Sequence, residues 1–81
     1  MVIDSSFNHI VVLKWDDEGT PLVHCEILEW SKELKQHLQH LLTQLPTVYT
    51  TVDNVNSLKF NLLLGANIVG NVGKWTILRY N

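Results

Sequence analysis

His24 and Cys25 stand side by side, and a base beside a thiol is the pairing from which nucleophilic catalysis is built. Their surroundings read as a strand, however. Consecutive strand residues project to opposite faces, so the two groups cannot meet, and Cys25 reads as a small buried hydrophobe. A second candidate is the stripe Glu33, His37, His40 and Gln44. His37 and His40 at i, i+3, with Glu33 one turn earlier, are metal-ligand types at helical spacing. No further ligand cluster completes such a set, so no metal is expected. The stripe reads as a polar helix flank with Glu33 and His37 as an i, i+4 pair. Trp15, Trp30 and Trp75 are many for so short a chain, and an exposed tryptophan marks a binding surface. Trp75 is expected in the core. Trp15 and Trp30 end adjacent strands and are expected to stack at one edge, which with the Asp16–Glu18 turn is the expected partner surface.

The elements that would carry these residues follow from pattern. Phe7 to Trp15, rich in Val, Ile and aromatics, reads as a strand. Asp16-Asp17-Glu18-Gly19-Thr20-Pro21 is a turn, and Leu22 to Trp30 returns as a second strand. Val23, Cys25 and Ile27 then share one face; His24, Glu26 and Leu28 share the other. Ser31 is an N-cap for a helix whose stripe is Leu34, Leu38, Leu41, Leu42 and Leu45, stopped by Pro46. Thr47 to Val52 is β-branched and aromatic, a third strand. From Val55 the periodicity fits helix or strand alike; an Asn54 cap and Gly65 at the C′ position select a helix over 55–64. Ala66 to Gly70 and Lys74 to Tyr80 close the chain as strands about a turn. The predicted order is ββαβαββ, an α+β fold in one domain spanning 1–81.

Composition narrows the partners. The 81 residues leave room for one core, and 46% apolar with 17% charged residues suits a folded globule. So little charge leaves excess apolar surface, which a homo-oligomer or a stable protein partner would cover. The net charge of −2, with six Lys and Arg placed singly, offers no basic stripe for nucleic acid. No apolar run nears a membrane span and no leader is legible. The lone Cys25 suits a reducing cytoplasm.

The run Asn-Val-Asn-Ser-Leu-Lys-Phe-Asn-Leu-Leu-Leu-Gly-Ala at 54–66 carries a wider likeness. Asn54, Ser57, Phe60 and Gly65 resemble the last helix of the GNAT superfamily of N-acetyltransferases. The element order resembles the C-terminal two-thirds of that fold, as in the small GNAT-like proteins of phages. The resemblance implies a mixed sheet with two helices and a V-shaped gap between strands 22–30 and 47–52. It also implies acetyl-CoA as cofactor, with Ile27, Leu28, Lys32, Lys35 and Asn54 as its candidate contacts. His24 or Glu26 would be the base for an amine acceptor. Two departures count against catalysis. The family's glycine-bearing pyrophosphate segment is here Glu29-Trp30-Ser31-Lys32-Glu33-Leu34-Lys35, without glycine, and the tyrosine that protonates the leaving thiolate is here Asn61. The expectation is a non-catalytic protein-binding domain, gripping a host or virion protein, with the gap filled by side chains and no bound cofactor. The alternative is a minimal acetyl-CoA-dependent N-acetyltransferase with the gap open.

Overall fold

Leu34, Leu38 and Leu42 recur every fourth residue and are sealed at the centre of the molecule, which fixes how the first helix lies. The computed structural model describes residues 1–81. Its elements are β1 (Val2–Ser6), β2 (His9–Trp15), β3 (Pro21–Ile27), α1 (Lys32–Thr43), β4 (Val48–Val52), α2 (Val55–Leu63), β5 (Asn67–Val72) and β6 (Trp75–Tyr80). The fold is α+β, a six-stranded mixed sheet in the order β1-β2-β3-β4-β6-β5 with two helices.

Both helices begin as their capping residues dictate. Ser31 Oγ accepts from the Leu34 N–H at 3.0 Å, and Asn54 Oδ1 accepts from the Ser57 N–H at 2.8 Å. Gly65 follows α2 at φ +105°, a conformation that favours glycine. Alternate residues of the strands, Val11, Leu13, Val23, Val48, Val52, Leu78 and Tyr80, meet Leu34, Leu38 and Leu42 of α1 and Leu64 and Ala66 after α2 in one core. Gln39 Nε2 donates to the Leu63 carbonyl at 3.0 Å, tying the helices side by side.

The predicted order ββαβαββ is corrected to βββαβαββ, because a strand precedes the predicted first one. Asp4, Ser5 and Ser6 have poor strand propensity alone, but a two-residue turn at Phe7-Asn8 lets them pair antiparallel with Val11, Ile10 and His9. Two tryptophan expectations are corrected as well. Trp75 is 40% exposed rather than core, and its ring lies under the Lys74 ammonium at 5.4 Å. Trp15 pairs with Pro21 while His9 pairs with Ile27, so Trp15 and Trp30 sit at opposite ends of the hairpin and do not stack.

One joint in this sheet differs from the others. β1-β2-β3 is an antiparallel meander, and β4, β6 and β5 pair antiparallel along their lengths, with one register shift between Ile68 and Gly70. Between them β3 and β4 run parallel and pair only at Leu22↔Tyr49. Beyond that point the strands splay apart.

Candidate functional site

The splay opens a cavity of about 420 Å³. Its walls are His24, Cys25 and Ile27 of β3 and Thr50 to Val52 of β4, and α2 closes it with Ser57, Phe60 and Asn61. The expectation that side chains fill this gap is therefore not met. Ile27 and Phe60 continue into a second, mostly apolar depression of about 370 Å³ bounded by Trp30, Lys59 and Leu63. Trp30 meets Phe60 edge to face, centroids 5.5 Å apart, and forms the outer lip of one continuous groove.

Its floor is polar but locked. Tyr80 donates its O–H to Asn61 Oδ1 at 2.6 Å, and Asn61 Nδ2 donates to the Ser57 carbonyl at 2.8 Å. Burial pushes the Cys25 thiol up to about 11, with the Asp4 charge adding to it, so it stays a neutral thiol at ordinary pH. Burial likewise raises Tyr80. A thiol held protonated is a poor nucleophile, and no base is hydrogen-bonded to it.

The residues singled out from sequence fall unevenly around this groove. His24 lines it from the exposed face of β3, and Ile27 lines both of its parts. Glu26 is exposed on the same face as His24, outside the walls. Leu28 is exposed, and its N–H and that of Glu29 both donate to the Asn8 carbonyl, at 2.8 and 3.1 Å, which commits them to the neighbouring turn. Lys32 and Lys35 ride on α1 away from the groove walls. Asn54 is occupied as the α2 cap, while its neighbours Asp53 and Asn56 face the groove.

Comparison of the chain with family models, curated proteins and solved structures finds no match in any of the three.

A second polar centre lies on the other side of α1's first turns. Asp4 Oδ2 is 2.6 Å from His9 Nε2 and 2.7 Å from His37 Nε2, and His9 Nδ1 is 2.7 Å from Asn8 Oδ1. Burial disfavours the Asp4 carboxylate, but hydrogen bonds and charge from His9 and His37 outweigh it and hold its carboxyl below the ordinary 3.8. Asp4 and His9 carried no signal in the sequence reading, because their partner His37 lies 33 residues from Asp4. His40, expected beside His37, takes no part in the centre.

Proposed function

We propose that the chain is a GNAT-like binding domain whose splayed groove receives an extended segment of a protein partner and performs no acetyl transfer. The observation that carries this reading is the single-pair joint between β3 and β4. It leaves strand edges unpaired inside an apolar-lipped groove, and extended polypeptide satisfies such edges by main-chain hydrogen bonding while side chains enter flanking pockets. The capping of α2 by Asn54, with Gly65 behind it, is what supports the GNAT-like reading.

The groove's chemistry favours a peptide over a nucleotide cofactor. Its walls carry one cation, Lys59, and one carboxylate, Asp53, so a polyanion would find almost no compensating charge there. The start of α1, where the resemblance sets a pyrophosphate, bears Trp30 and Glu33 instead of glycines. Lys32 and Lys35 stand off the walls.

The open gap itself favours one second reading, acetyl-CoA binding with transfer to an amine, in which His24 at the groove wall would take the proton. Calorimetric titration with CoA and acetyl-CoA separates the two. Binding in the micromolar range, about −8 kcal/mol, supports the cofactor reading; absence of heat at millimolar ligand, with crosslinking of a partner segment to the groove, supports the peptide reading. Self-association is a further part of the proposal: Ile68, Val69 and Val72 are exposed on the uncharged edge strand β5. Light scattering on the purified chain tests it, and a monomer at all concentrations removes it.

A further inference from the structure

We propose that Asp4, His9 and His37 form a binding site for one divalent transition-metal ion. The three donor atoms come from β1, β2 and α1 and lie within 4.8 Å of one another. Asp4 stands opposite Val11 in the β1–β2 register, which turns it to the helix-bearing face of the sheet. His9 opens β2 on that face, buried at 4% exposure, and His37 descends on them from the second turn of α1. Two hairpin residues and one helix residue thus converge on a point that no local sequence motif encodes.

The contacts around His9 fit the setting of a metal-binding imidazole. Its Nδ1 faces Asn8 Oδ1 at 2.7 Å and its Nε2 faces Asp4 Oδ2 at 2.6 Å, so both ring nitrogens look at oxygen. A neutral imidazole carries only one N–H. In the tautomer that donates Nδ1–H to Asn8, Nε2 offers its lone pair at the point where Asp4 Oδ2 and His37 Nε2 also converge. A histidine whose second nitrogen is fixed by an amide or carboxylate oxygen is how proteins orient metal-binding imidazoles.

Two imidazoles and one carboxylate select the ion class. This set suits zinc, iron(II), cobalt or nickel and does not suit magnesium or calcium, which take all-oxygen shells. Bond lengths of about 2.0–2.2 Å require the 2.6 and 2.7 Å separations to open by roughly half an ångström, which asks for movement of the half-exposed His37 and of Asp4, whose side chain is 25% exposed, while His9 stays fixed. The three groups line a cavity of about 350 Å³ that also carries Glu33, one turn before His37, and Ser31. Three protein ligands beside an open, polar-lined cavity leave coordination positions for water or for a ligand's oxygen. The site lies apart from the β3–β4 groove, and its failure would leave that reading untouched.

The test is a titration of the untagged full chain with zinc chloride in a non-coordinating buffer, followed by calorimetry, with cobalt(II) as a visible-absorption probe. One ion per chain is expected, with a rise in melting temperature. His37→Ala and Asp4→Asn are expected to weaken binding about tenfold or more, whereas His40→Ala and His24→Ala leave it unchanged. Because His9 is buried, the half-exposed His37 variant is the decisive one, with circular dichroism confirming its fold. No zinc heat and no cobalt spectrum, or binding that survives both His37→Ala and Asp4→Asn in folded protein, overturns the proposal.

Discussion

Tyr80, the last residue of β6, donates a hydrogen bond from its hydroxyl to Asn61 Oδ1 at 2.6 Å, so β6 holds α2 in place under the groove. Tyr80 is 3% exposed and Asn61 uses its own amide to reach the Ser57 carbonyl. Asn61 on α2 is thus tied to a tyrosine from another element. Tyr80→Phe strips the Asn61 carbonyl of its donor without changing the ring's packing. The expected loss is about 1–2 kcal/mol in urea unfolding, with the melting temperature lowered and the fold retained. An unchanged midpoint would mean the bond is replaced by solvent.

Alkaline pH should destabilise the fold through Cys25. Its thiol ionises at about 11 when folded against 9.0 ordinarily, so the folded chain keeps a proton that the unfolded chain gives up. That contribution is complete below pH 9 and is lost as pH climbs through about 11; Tyr80, shifted the same way from its ordinary 10.0, adds to the fall from about pH 10 upward. Unfolding free energy measured across this interval should decline more steeply in the native chain than in Cys25→Ala. Equal slopes would show that the thiol is not desolvated.

Trp30 is the exposed lip of the groove and contributes little to the core, so Trp30→Ala should cost the fold about 1 kcal/mol or less. Its effect on partner capture should be larger, about 2 kcal/mol or roughly thirtyfold in affinity, as for interface tryptophans in general. Surface plasmon resonance with the captured partner segment checks this, and equal affinities would move the contact surface away from the groove.

At Gly65 the backbone alone decides the outcome. A methyl group added there meets nothing within 4 Å, yet φ is +105°. Gly65→Ala should therefore cost about 1–2 kcal/mol in chemical denaturation, through strain and not through a clash. Gly70→Ala, at an ordinary φ and in loose contact with Ile77, should cost less.

The helices were legible because their signals are local. A leucine every fourth residue after Ser31, and Asn54 and Gly65 bracketing an ambiguous run, specify each element from within. β1 was not legible, since Asp4-Ser5-Ser6 becomes a strand only by pairing with β2. The same holds for the polar centre: Asp4 and His9 look like turn-flanking polar residues until α1 brings His37 onto them. His24 and Ile27 were picked out as groove residues from the likeness of the chain to a family, but the openness of the groove depends on how far β4 departs from β3 after Leu22. No property of either strand's sequence records that angle.

The lone Leu22↔Tyr49 pair has a mechanical consequence. The sheet is two hydrogen-bonded rafts, 2–27 and 48–80 in strand content, moored to each other at one point and otherwise held together by α1, α2 and the core between them. Each raft can tilt about that mooring without breaking a ladder of its own. An occupant spanning the splay would splice the rafts into a continuous sheet, so amide exchange would slow along β3 and β4 together, far beyond the residues it touches.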